Sequence, residues 1–324
     1  MTGTSNIVNR GAHDRRVLQV LVTGASGLVG GRLLAQLAGD AAIRVRAASR
    51  AVRTWPSGVQ GVVTDSNAPD TLVSACAGMD AVVNLASMSE AECAADPQGA
   101  LRSNAGGTLA LVGAATSAGV TRFVQLSTVK VYGDCPAGII TEEVITHPSS
   151  HYAITHRASE DYAALHPNAV VLRLSNGFGA PANMTTPCWH LIANNFCRQA
   201  AVTGRITISS DGEASRNFIP LSDVVVALHA AASELPSGVF NLGSSASMTI
   251  LAMAERIAQV CESTLGNRPA VVIGGQSTTT RHEPLEFRTA RLRDAGVRLT
   301  DSFDDEIART LLAARATAAT QRHV

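Results

Sequence analysis

An apolar run from Val17 to Val22 meets three glycines at fixed spacing, Gly24, Gly27 and Gly30. A helical apolar stripe follows at Leu33, Leu34 and Leu37. The order imposed is strand, tight turn, helix. Glycines at this spacing let backbone amides approach a pyrophosphate, which sits at the positive end of the helix. A lone glycine triplet is a weak signal. Here the buried strand before it and the amphipathic helix after it supply the context that the motif needs, so a dinucleotide site is predicted.

Strands and helices alternate through the first half. Candidate strands are 17–23, 44–48, 61–64, 80–85, 122–127 and 169–174, with helical patterns at 28–38, 70–77, 104–118 and 152–165. Such alternation predicts an α/β fold: a Rossmann-type, doubly wound parallel sheet with right-handed crossovers. After Leu174 the pattern changes. Residues 176–215 carry turn signals and few long apolar runs. Residues 216–233 are strand-like and then helical, Gly238 to Leu242 reads as a buried strand, and helices follow at 248–264 and 303–316. The expected organisation is a mobile leader at 1–16, a dinucleotide-binding lobe at 17–175 plus 216–243, and a smaller C-terminal substrate lobe at 176–215 plus 244–320. Ligands in such sheets bind beyond the carboxyl ends of the strands.

Bulk properties exclude several partners. Lys+Arg and Asp+Glu both number 26, so no net charge draws the chain to nucleic acid or to an anionic membrane. No apolar run is long enough to span a bilayer, and the polar start from Met1 to Arg16 holds no signal-peptide segment. Six cysteines (76, 93, 135, 188, 197, 261) lack C-x-x-C pairing and read as thiols of a reducing compartment. A cytoplasmic protein is expected. No second His or Cys pair completes a ligand set around Cys188-Trp189-His190, so no metal is predicted.

Several short segments fall together in order. Thr23-Gly24-Ala25-Ser26-Gly27-Leu28-Val29-Gly30 resembles the T-G-x-x-G-x-x-G signature of the extended short-chain dehydrogenase/reductase family. Asn84-Leu85-Ala86-Ser87 resembles its H-L-A-A segment. Asn104 with Gly107-Thr108 resembles N-x-x-G-T. Ser127-Thr128-Val129-Lys130-Val131-Tyr132-Gly133 resembles S-[ST]-x-x-V-Y-G. Asn176-Gly177-Phe178-Gly179 resembles N-x-Y-G-P, and Arg216 to Val224 resembles R-D-F-I-x-V-x-D-V. The last two occur mainly in members that act on nucleotide-linked sugars. The resemblance implies cofactor contacts from Gly24, Ser26, Gly27, Leu28, Gly30, Asp65, Ser66, Leu85, Ala86 and Asn104, and substrate contacts from Ser87, Asn176 and Arg216. It also implies a homodimer paired through 104–118 and 152–165.

Hydride transfer at a carbon bearing oxygen needs a matched proton transfer at that oxygen. A tyrosine suits this if its pKa falls from about 10 toward neutrality. Tyr152 and the Thr128 hydroxyl fit the two roles of proton carrier and oxygen holder. The family motif is Y-x-x-x-K, but here it reads Tyr152-Ala153-Ile154-Thr155-His156. The i+4 spacing keeps His156 on the tyrosine's helix face. Histidine can hydrogen-bond the nicotinamide ribose as the family's lysine does. It can acidify the tyrosine only when protonated, and its reference pKa is about 6.5. A less acidified Tyr152 is a poor base but a usable proton donor, which favours ketone reduction over alcohol oxidation.

Lys130 is the chain's single lysine. Related 4,6-dehydratases carry acidic residues after the threonine; Val129 and Lys130 stand there instead, which argues against dehydration. Lys130 is a candidate substrate contact, with a solvated loop lysine as the alternative. At the end of the second strand, Ser49 and Arg50 replace the acidic residue that would grip the ribose hydroxyls of NAD, so NADP(H) is favoured over NAD(H), with Arg53 as a possible helper. Arg281, in a late loop, is a second candidate for substrate phosphates, and a solvated arginine is its alternative. The expected function is NAD(P)-dependent reduction or epimerisation of a nucleotide-linked sugar. The alternatives are a reductase of a small carbonyl compound and a non-catalytic dinucleotide-binding regulator.

Overall fold

The computed structural model describes residues 17–134, 136–275 and 283–321. The expected leader, Cys135 and Arg281 lie outside the described residues.

Seven strands form one parallel sheet: β1 (Leu18–Thr23), β2 (Ile43–Ser49), β3 (Val59–Val63), β4 (Ala81–Asn84), β5 (Arg122–Thr128), β7 (Ala169–Leu174) and β12 (Gly238–Leu242). Their order is β12-β7-β5-β4-β1-β2-β3. The chain runs from β1 outward to β3, then returns to the other side of β1, so the carboxyl ends of β1 and β4 flank the point where strand order reverses. Ligands bind at that point in such sheets. The first expected strand and those at 122–127, 169–174 and 238–242 agree with these elements within a residue.

Helices cover both faces. On one side α1 (Leu28–Leu37) and α8 (Leu221–Ser233) bury Leu33, Leu34, Leu37, Val224 and Leu228 against the sheet. On the other, α2 (Pro69–Cys76), α5 (Gly107–Ser117) and α6 (His151–Ala163) surround Leu72, Leu111, Phe123 and Ala163. The short helices α3 (Glu90–Ala95) and α4 (Pro97–Ala100) lead into a π-helical turn at Leu101–Gly106. The helix expected at 104–118 therefore starts wider than α-helical and tightens only at Gly107. A 3-10 turn at Val129–Tyr132 follows β5, and the short strand β6 is Gly138–Ile140.

A second apolar core lies off the sheet. It is built from α7 (Ile192–Thr203), α9 (Ile250–Leu265) and α11 (Phe303–Gln321), with β9 (Arg205–Ile208) and the strands β8 (Asn176–Phe178) and β11 (Phe218–Pro220) contributing Ile206, Ile208, Phe178 and Phe218. Helix α7 departs from the sequence expectation, which read 176–215 as turns. Four two-stranded pairings join β8 to β11, β10 (Ser215–Arg216) to β13 (Met248–Thr249), β14 (Ala270–Ile273) to β9, and β15 (Leu285–Phe287) to β6. Leu292, on α10 (Ala290–Asp294), and Val297 pack in the first core, although the sequence grouped them with the second lobe.

Candidate active site

The turn after β1 is shaped for a phosphate. Gly24 has φ +62, and a Cβ there would stand 2.5 Å from the Leu85 carbonyl and 2.7 Å from the Ala86 nitrogen. This glycine is needed because the loop after β4 passes directly against it. At Gly30 a Cβ would meet the Gly24 oxygen at 2.3 Å, so the third glycine seats α1 on the turn. Gly27 and Ser26 are exposed, and no side chain caps α1 at Gly27. The first amides of α1 are thus left for an anion. Leu28 follows at the helix start, half-buried. This cradle fits a dinucleotide.

The rest of the expected cofactor path lies along the carboxyl edge of the sheet. Ser49 ends β2 and donates to the Ala51 oxygen at 2.6 Å, while Arg50 is exposed just beyond. Asp65 and Ser66 are exposed after β3, and Asp65 accepts from the Asn67 backbone at 2.9 Å in a turn. Leu85, Ala86 and Ser87 follow β4. Asn104 is placed differently from a direct contact. It is 1% exposed, its Oδ1 accepts from the Met88 N–H at 2.8 Å, and its Nδ2 donates to Thr155 Oγ1 at 3.0 Å. It therefore braces the loop after β4 against α6, one layer behind the crevice.

Thr128 ends β5 and Tyr152 begins α6. Burial pushes the Tyr152 phenol up to about 12; the Thr128 hydroxyl pulls it down by less, and the nearby Glu90 carboxylate raises it further. His156 lies one turn on and is 4% exposed. Its ring centroid is 4.4 Å from that of Tyr152. Burial drives its pKa down to about 4, so the imidazole is neutral at ordinary pH. Neither ring nitrogen has a partner. A buried, unpartnered donor and acceptor in this position fits the hydroxyls of a nicotinamide ribose.

Helix α6 is fixed against β5 by a buried network. Glu160 accepts from Ser127 Oγ at 2.5 Å and from Arg173 at 2.7 and 3.0 Å. Arg173 also donates to the Tyr132 hydroxyl, which donates to Asn241 Oδ1 at 2.7 Å. Glu160 lies two turns after Tyr152 on the same face, so this network sets the depth at which Tyr152 meets Thr128.

Of the residues expected to meet substrate, Lys130 binds both oxygens of Glu90 at 2.6 and 2.7 Å, with its side chain 29% exposed. Asn176 is held by its Nδ2 to the Asn217 oxygen at 3.0 Å, and Arg216, which directly precedes Asn217, is half-buried on β10. Asn217, where the resembled motif carries aspartate, is fully buried and ties Ser175, Ser244 and Ala246 together. Sequence reasoning singled out neither Asn217 nor Glu160. Among the described residues no cluster of His, Cys, Asp and Glu could hold a metal ion, and no helix is long and apolar enough to cross a membrane.

Residues 20–243 match the NAD dependent epimerase/dehydratase family. The chain is 28% identical over 262 residues to the low-salt glycan biosynthesis protein Agl12 of Haloferax volcanii, covering 74% of this chain and 81% of that protein. It is 27% identical over 304 residues to a UDP-glucose 4-epimerase of Streptomyces lividans, covering 84% and 91% respectively. Among solved structures, MoeE5 in complex with UDP-glucose and NAD superposes with a TM-score of 0.77 over 93% of this chain and 99% of that one, at 24% identity. At that identity the likeness is one of fold.

Proposed function

The chain belongs to the NAD dependent epimerase/dehydratase family, and from that premise we propose that it reduces a keto group on a nucleotide-activated sugar, with Tyr152 giving the proton. The observation that carries this reading is the pairing of a high-pKa phenol with an uncharged imidazole. A base must be deprotonated before it acts, and a phenol at about 12 is almost wholly protonated near neutrality. The same phenol donates readily to an oxygen that is gaining negative charge.

A bound reduced nicotinamide supplies the hydride. Thr128 and Tyr152 hold the substrate oxygen from two sides, and Tyr152 passes its proton to that oxygen as the carbon is reduced. The proton is replaced from solvent before the next turnover. His156 binds the ribose through its ring nitrogens and adds no fixed charge. Phosphates of the sugar nucleotide fall to Arg216, with Asn176 and Ser87 facing the sugar. Arg281 remains a candidate from sequence alone. NADP(H) is the proposed cofactor, because Ser49 ends β2 and Arg50 follows it, with no carboxylate there to repel a 2′-phosphate. The protein is proposed to act as a homodimer through α5 and α6, whose outer faces leave Leu109 44% and Ile154 48% exposed.

The test is direct. Purified protein is given NADPH and a 4-keto-6-deoxy nucleotide sugar, and the alcohol product is followed. Net consumption of NADPH supports the reading. Conversion of a UDP-hexose to its 4-epimer without net cofactor change assigns epimerisation instead. Turnover of neither, with NADPH bound, leaves the non-catalytic alternative.

A further inference from the structure

We propose that Glu306, on α11, is a positioning residue that couples dinucleotide binding at α1 to the segment of β8 and its following loop at residues 176–182. Its carboxylate is wholly buried and faces two elements at once. Arg32 of α1 binds it as a fork, Nη1 to Oε1 at 2.6 Å and Nη2 to Oε2 at 2.9 Å. The same Oε1 accepts from the Ala180 N–H at 3.1 Å. One oxygen therefore joins the phosphate-facing helix to the chain leaving β8.

The peptide at Gly179–Ala180 is built to receive this. Arg32 Nη1 also donates to the Ala180 oxygen at 2.9 Å. Asn194 of α7 accepts from the Gly179 N–H and donates to the Gly179 oxygen, both at 2.9 Å. All four polar groups of this dipeptide are thus taken by three side chains from α1, α7 and α11. Gly179 sits at φ +154, and an added Cβ would stand 2.4 Å from Glu306 Oε1. No other residue fits between backbone and carboxylate.

Such a link carries force in one direction that matters. A pyrophosphate on the first amides of α1 fixes that helix, and Arg32 is rigidly bound to it. Glu306 then holds the Ala180 amide in the register that α1 dictates. A buried forked ion pair loses much of its bonding when either partner shifts, so the link is stiff. The cofactor half of this inference rests on the glycine turn alone. The substrate half rests on the nucleotide-sugar reading above, in which Asn176 faces the sugar.

The experiment uses ADP-ribose, which fills the pyrophosphate cradle without a nicotinamide, and follows amide hydrogen exchange by mass spectrometry. In the natural protein ADP-ribose slows exchange across 176–182 as well as across 24–32. In Glu306→Gln the slowing persists at 24–32 and is lost at 176–182. Arg32→Lys keeps the charge without the fork, serves if the first variant folds poorly, and loses part of the effect. Calorimetry with UDP-glucose, with and without ADP-ribose, gives a coupling on the order of fivefold or more in the natural protein and none in Glu306→Gln. Equal protection of 176–182 in natural and variant proteins, or none in the natural one, overturns the proposal. Failure of UDP-glucose to bind at all counts against the substrate reading and leaves the exchange result to decide the coupling.

Discussion

The ring of Tyr152 lies 4.4 Å from that of His156, tilted by 58°, and the imidazole brings no charge to the contact. In the resembled motif this place holds a lysine, whose ammonium would draw the phenol pKa down. Here burial acts on both groups in opposite senses, raising the phenol and lowering the imidazole, because each disfavours its charged form.

His156→Lys is expected to restore base strength. A cation within about 4–6 Å lowers a phenol by roughly 1–3 pKa units. Alcohol oxidation at pH 7 should rise about tenfold or more, while ketone reduction changes little. Oxidation by the natural protein should climb about tenfold per pH unit between pH 7 and 10, as the deprotonated fraction grows. Steady-state rates in both directions across that range check this, and equal oxidation rates for the two proteins at pH 7 would remove the argument.

Tyr152→Phe deletes the proton, and Thr128→Val deletes its partner. The first should cost about 10²–10⁴-fold in kcat with cofactor affinity kept. The second should cost less, since Tyr152 still reaches the oxygen. Single-turnover reduction measured beside NADPH titration separates chemistry from binding.

Acid should weaken the fold through His156. Its folded pKa, about 4, lies below the unfolded value near 6.5, so the unfolded chain binds a proton that the folded one refuses. The stabilising effect is present above pH 6.5 and is lost as pH falls toward 4, on the order of 3 kcal/mol when complete. Urea midpoints at pH 7 and pH 5 should fall further in the natural protein than in His156→Gln.

The two helix-start glycines should separate folding from binding. Gly30→Ala forces a Cβ to 2.3 Å from backbone and should destabilise by about 2–4 kcal/mol. Gly27→Ala meets only the Gly24 oxygen, at 3.2 Å. It should fold and lose dinucleotide affinity. Thermal melts together with NADPH titration distinguish the two outcomes.

Arg50→Ala should weaken NADPH binding by about tenfold or more and leave NADH binding unchanged, because only the 2′-phosphate offers a charge to this guanidinium. Equal losses for both cofactors would place Arg50 elsewhere in the site.

The sheet was readable because its inner strands are buried on both faces and so appear as unbroken apolar runs, as at Val20–Val22 and Ala81–Val83. Helix α7 was hidden by Asn194, a polar residue on its inward face that serves the Gly179 backbone and breaks the apolar stripe. Thr128, Tyr152 and His156 were visible as a motif, and they do assemble. What no spacing could disclose was the brace behind them. Glu160 meets Arg173 across 13 residues and Ser127 across 33, while Arg32 finds Glu306 across 274. Asn104 shows a subtler limit: its identity was evident, but only the π-turn that carries it reveals that its amide is already engaged.

Lys130 holds the chain's one ε-amine, two residues after Thr128 and partly exposed. Reagents that acylate amines therefore meet a single side chain in this protein besides the amino terminus. Covalent tagging at that position would read out whether the crevice is filled without any knowledge of what fills it, and a library of small molecules could be sorted by the protection each confers.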